Sequence, residues 1–148
     1  MEARFETFTV LINRISRNIR KIKNQEMAEY RLRSAHVSCL YYLDTFRSLT
    51  SKELCEVCDE DKAAISRSLV FLEKNGYLEA LEKDNKKYKR PIELTEKGRI
   101  AGKHIVERID NILAISSEGV SEEERAILYR SLTKISENLQ KVCDEYED

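Results

Sequence analysis

Apolar positions recur every three to four residues along most of this chain, and the recurrences fall into separate runs. Between residues 2 and 28, Phe5, Phe8, Ile12, Ile15, Ile19 and Ile22 are spaced 3, 4, 3, 4, 3. That spacing predicts one long helix with a stripe suited to packing on other helices. Near the other end, Leu128, Leu132, Ile135, Leu139, Val142 and Tyr146 are spaced 4, 3, 4, 3, 4 and predict a helix over 122–146. A third long helix is predicted from Thr95 to about Ser116 on Ile105, Ile109 and Ile112, with Ile100, Val106 and Leu113 widening the stripe. Two shorter helices fall between. One spans 35–47, capped by Ser34, with Val37, Leu40, Tyr41 and Leu43 inward. The other spans about 51–58 with Leu54 inward. Thr50 with Glu53, and Ser121 with Glu124, have capping-box spacing, in which a hydroxyl and a carboxylate satisfy each other's backbone N–H groups.

The stretch 50–98 organises the rest. After the 51–58 helix, CDED makes a tight turn and Asp61 caps a helix over 61–74 that stops at Gly76. Ile65, Leu69 and Leu72 sit at i, i+4 and i+7 on one buried face, while Lys62, Ala63, Ser66 and Arg67 occupy the other. A face that is small, polar and cationic fits a groove about 12 Å wide, the width of the DNA major groove. Helix, tight turn, helix is a helix-turn-helix, and 61–74 is its expected recognition helix. Residues 77–81 and 88–94 then read as two short strands around a polar turn at Lys83–Lys87. Pro91 cannot donate to a ladder, so this hairpin belongs on an edge, as a wing over 78–94.

Composition changes this picture little: 41% apolar, 36% charged, one Pro, four Gly and no Trp favour helix. Charge placement changes it more. The net charge is −1, yet between Lys83 and Arg90 the cations Lys83, Lys86, Lys87, Lys89 and Arg90 face the single acid Asp84. A polyanion site is therefore local. No run approaches the length of a transmembrane helix, and the first residues lack a signal-peptide pattern, so the expected location is the cytoplasm. Cys39, Cys55, Cys58 and Cys143 are expected as thiols in that compartment. Cys55-Glu56-Val57-Cys58 is a CxxC with no second pair, so zinc is not expected and at least one of the two should fill core; redox or metal sensing is the alternative. No cofactor and no catalytic residue is expected, since no phosphate loop, HExxH or positioned nucleophile occurs.

The terminal helices carry stripes about 35 Å long at 1.5 Å per residue. A small winged module cannot cover them, which predicts a two-fold homodimer. Two recognition helices held about 34 Å apart would read successive major grooves, so the expected operator is an inverted repeat in double-stranded DNA.

The order of elements, together with DKAAISRSLVFLEKNGYL at 61–78 and IELTEKG at 92–98, resembles the MarR family, the multiple-antibiotic-resistance regulators. The resemblance covers nearly the whole chain. It implies a mainly α fold with a small β wing: a winged helix-turn-helix core over 30–98 flanked by long dimerisation helices, 1–29 and 99–148 acting as one unit. It also implies a dimeric transcriptional regulator, more often a repressor, released by a small apolar or phenolic molecule. Ser66 and Arg67 match the family's base- and phosphate-contacting positions, and Asp84 its wing aspartate, although the usual Asp-x-Arg is replaced by a longer Asn85-Lys86-Lys87 stretch. The first helix has no cysteine, which argues against the mechanism of the peroxide-sensing branch.

The expected DNA contacts are Lys62, Ala63, Ser66 and Arg67 from the recognition helix, Lys86, Lys87, Lys89 and Arg90 from the wing, and Thr50, Ser51 and His36 near helix N-termini. Phe8, Ile12, Tyr41, Tyr42 and Ile109 are the candidate lining of an effector cleft, with core as their simpler role. The alternative function is a winged-helix module that binds protein instead of DNA.

Overall fold

The computed structural model describes residues 5–79 and 90–146. Among these residues the helices are α1 (Phe5–Glu26), α2 (Ser34–Phe46), α3 (Ser51–Cys58), α4 (Lys62–Lys74), α5 (Glu96–Ser116) and α6 (Glu122–Asp144), with a 3-10 turn at Ala28–Tyr30. The β component is small. Leu49 bridges Ile92 and Leu78 bridges Leu94, both antiparallel, so the described foot of the wing is two isolated bridges. The turn expected at Lys83–Lys87 lies outside the described residues. The chain divides into two compact units, Met1–Asp110 and Asn111–Asp148.

The caps follow the local chemistry. Thr50 accepts from the Glu53 N–H at 3.3 Å, while the Glu53 carboxylate takes the Thr50 N–H at 2.7 Å. Ser121 and Glu124 repeat the arrangement at the start of α6. Asp61 accepts from the Ala64 N–H at 2.7 Å and opens α4. One cap differs from the sequence reading. Ser34 is already helical, and its N–H donates to the Asn24 side chain at 2.7 Å. Arg33 holds the cap position, and its N–H donates to His36 Nδ1 at 3.1 Å. A partner ten residues upstream has displaced the local serine cap.

The first unit holds the core. Leu40, Leu43, Leu54, Ile65, Leu72 and Ile105 are fully buried together with Met27, Val37 and Cys39. Removing each large aliphatic side chain from water contributes about 1.5–3 kcal/mol. Ile100 is not part of this core as expected from its spacing: it is 64% exposed, because the buried line of α5 runs through Gly98, Ala101, Gly102 and Ile105. In the second unit α6 buries none of its residues, and Leu128, Leu139, Val142 and Tyr146 of its stripe are exposed. The α1 stripe is likewise uncovered at Ile15, Ile19 and Ile22.

The exit of α4 is tied to the entry of α5. Gly76 takes φ +78°, a left-handed conformation that costs glycine little. Its N–H reaches Glu73 O and the Tyr77 N–H reaches Leu72 O, the two bonds of a Schellman ending. The Thr95 hydroxyl donates to Gly76 O at 2.6 Å and accepts from the Gly98 N–H at 3.0 Å. Lys97 adds a bond to Asn75 O at 2.7 Å. Gly98 is required here: a Cβ would stand 2.0 Å from the Tyr77 carbonyl oxygen.

Candidate nucleic-acid interface

α4 presents two contrasting faces. Ile65, Ser68, Leu69 and Leu72 are buried, whereas Lys62, Ala63, Ser66, Arg67 and Val70 are exposed. The exposed row is short near the helix start and carries the cations Lys62 and Arg67. Nothing on it is bulkier than Val70 apart from those flexible cations, so a groove wall can approach the helix backbone.

Of the residues expected near helix N-termini, Thr50 is half-buried and its hydroxyl serves the capping box. The bonds from its N–H and hydroxyl hold the Glu53 carboxyl below the usual carboxylate range. Ser51 is buried, which limits its side chain as a surface contact. His36 is half-buried and stacks on Phe71 of α4, ring centroids 4.1 Å apart and planes 5° from parallel. Burial, and then the charge of Arg33, lower the His36 pKa. A neutral ring accepting at Nδ1 carries its proton on Nε2. Arg90 is exposed at the foot of the wing, while Lys86, Lys87 and Lys89 lie outside the described residues.

Sequence reading missed two arginines. Arg31, at φ +57°, and Arg33 face α4 across a cleft of about 500 Å³ that Arg67, His36 and Phe71 also line. The one available signal was the repetition of arginine in RLR before α2, which reads locally as a turn.

The residues proposed for an effector lie in the first unit. Tyr41, Tyr42 and Ile109 pack against its core, and Phe8 and Ile12 are half-buried on α1. Tyr41 and Tyr42 meet edge to face at 5.1 Å.

The CxxC is divided by its surroundings. All four cysteines are thiols. Cys39 of α2, fully buried, hydrogen-bonds to Cys58. That bond raises the Cys39 pKa, with burial adding to it. The same bond lowers the Cys58 pKa against the opposing effect of burial, and the Lys23 ammonium helps. Cys58 thus pairs with a residue 19 positions upstream and not with Cys55. Among the described residues no group of three His, Cys, Asp or Glu could hold a metal ion, and no helix is long and apolar enough to cross a membrane.

An amphipathic helix with a small cationic outer face, entered by a tight turn and followed by a β wing foot, defines a winged helix-turn-helix. Comparison with known proteins carries this further. No family model matches the chain. An HTH-type transcriptional regulator of Bacillus cereus is 30% identical over 129 residues, 86% of this chain and 86% of the relative. The chain belongs to the HTH-type transcriptional regulators. Its fold within that class is that of the MarR family: NMB1585, a MarR family regulator from Neisseria meningitidis, superposes with a TM-score of 0.80 at 22% identity, covering 95% of this chain and 96% of that one. MepR of Staphylococcus aureus, solved as a DNA complex, superposes with a TM-score of 0.78 at 20% identity over 93% and 99% of the two chains.

Proposed function

We propose that this regulator is a homodimeric repressor that binds an inverted-repeat operator in double-stranded DNA. Recognition helix 61–74 enters the major groove and wing 78–94 touches the backbone or the minor groove. The observation that carries the reading is the outer face of α4, where Lys62, Ala63, Ser66 and Arg67 are exposed over a fully packed inner face. Arg67 is the side chain suited to a base edge or a phosphate, Ser66 to a hydrogen bond beside it, and Lys62 to a phosphate. Lys86, Lys87, Lys89 and Arg90 supply the wing contacts, and His36, Thr50 and Ser51 stand beside the backbone. MepR, whose fold this chain shares, was solved on DNA. The dimer reading is supported by the uncovered stripes of α1 and α6, which a second copy would bury. On this reading 30–98 works as the DNA module and the flanks 1–29 and 99–148 as the dimerisation region. A small apolar or phenolic molecule releases the operator, with Phe8, Ile12, Tyr41, Tyr42 and Ile109 as the candidate contacts.

Footprinting of the purified protein on the promoter region of its own operon tests this. A protected inverted repeat is expected, with a dimer mass by light scattering at micromolar concentration. Arg67→Ala is expected to cost about 1–3 kcal/mol on the repeat and less on unrelated DNA. Absence of any protected site, or equal binding by Arg67→Ala and wild type on every duplex, refutes the assignment of this face.

A further inference from the structure

The cleft between the 31–33 segment and α4 is lined by three arginines, Arg31, Arg33 and Arg67, together with the stacked rings of His36 and Phe71. Its other lining residues are Ala35, Ala64 and Ser68, so no carboxylate is among the described residues that line it. None of the three arginines is in an ion pair with a carboxylate of the described residues. Glu26 and Glu29, the acids just before this segment in the chain, both pair with Arg108.

The arrangement is held by the backbone. Arg31 sits in a left-handed conformation, its N–H bonded to Ala28 O at 3.0 Å. The Arg33 N–H is bonded to His36 Nδ1, and that ring is fixed in turn by its stack on Phe71. Like charges converging without a counter-charge repel one another, and a bound anion relieves that repulsion. Guanidinium forks match the paired oxygens of a phosphate group. Arg67 stands on the rim shared by this cleft and the exposed face of α4, so an anion seated here lies beside whatever the helix reads.

We propose that this cleft seats one backbone phosphate of the bound duplex, held by Arg31 and Arg33, with Arg67 at its rim. The proposal rests on the DNA-binding reading above and extends it to two residues outside the recognition helix and the wing. Contacts of this kind set register and contribute affinity without reading sequence.

The test uses the full chain and the double variant Arg31→Gln with Arg33→Gln, which removes both charges and keeps the aliphatic stems. Binding to the operator duplex and to an unrelated duplex of equal length is followed by fluorescence anisotropy across a salt series. The double variant is expected to lose affinity by the same factor on both duplexes. Its slope of log affinity against log salt should be shallower than wild type by about two, one phosphate contact from each protomer of the dimer. The Arg31→Lys with Arg33→Lys variant should keep the wild-type slope, and Lys134→Gln on α6 should leave it unchanged. An unaltered slope in the glutamine variant, or a loss confined to the operator, overturns the proposal while leaving the DNA-binding reading intact. Wild-type protein that binds neither duplex overturns both. Thermal stabilisation of wild type by inorganic phosphate, absent from the glutamine variant and with duplex binding unaffected, assigns the cleft to a free oxyanion and overturns the duplex assignment.

Discussion

The first unit and α6 carry the same kind of apolar periodicity and put it to opposite use. In α4, Ile65, Leu69 and Leu72 follow helical spacing and are at most 5% exposed, closed in by their own chain. In α6, Leu128, Leu132, Ile135, Leu139 and Val142 follow equally regular spacing, and not one is buried. Periodicity states that a face needs covering, but not by what. The difference comes from neighbours: α4 packs on α2 and α3, and the chain supplies α6 with no comparable layer within its unit.

The largest effect that would break the contrast is expected in the core. Ile65→Ala should cost about 2–5 kcal/mol in denaturant unfolding, since it empties a fully buried site. On α6, Leu139→Ala should show its cost chiefly as a midpoint that varies with protein concentration, the signature of stability held by association. A concentration-independent loss as large as that of Ile65→Ala would show that the stripe is closed within one chain. Next in size is Gly98→Ala. A Cβ 2.0 Å from a backbone carbonyl forces α5 away from Tyr77, at a cost of about 1–3 kcal/mol or more. Gly119→Ala is the companion: its Cβ would meet nothing within 4 Å, so its penalty comes from φ +80° alone and should be smaller.

The smallest effect concerns pH. Burial lowers the folded-state pKa of His36 below its unfolded value of about 6.5. Between those two values the unfolded chain binds more protons, so stability is fully present above about 6.5 and declines as pH falls through the folded value. Thermal melts from pH 7.5 to 5 should show this decline in wild type, and His36→Gln should flatten it. An unchanged profile in the variant would move the titration to other groups.

Much of the frame was legible in the sequence because it depends on near neighbours. The boxes Thr50 with Glu53 and Ser121 with Glu124 need residues three apart, and both formed as expected. The Asp61 cap and the inner face of α4 were likewise written locally. What escaped depends on residues far apart in the chain. Asn24 takes the Ser34 N–H and shifts a cap; Phe71 takes the face of His36; Cys39 takes the thiol of Cys58; Leu49 bridges Ile92. Ile100 was misplaced because the close approach at Gly98 and Gly102 rotates the buried line of α5 away from the branched residues. In the candidate site, the outward row of α4 was readable, while Arg31 and Arg33 joined it only through the bend after α1.

One hydroxyl links two helices. Thr95 grips the last turn of α4 through Gly76 and the first turn of α5 through Gly98. Such a coupling acts like a shared axle, fixing the pitch of the tail of α4 against the head of α5. Thr95→Val would keep the shape and remove both hydroxyl bonds, leaving the Lys97 bond to Asn75 O to carry the joint.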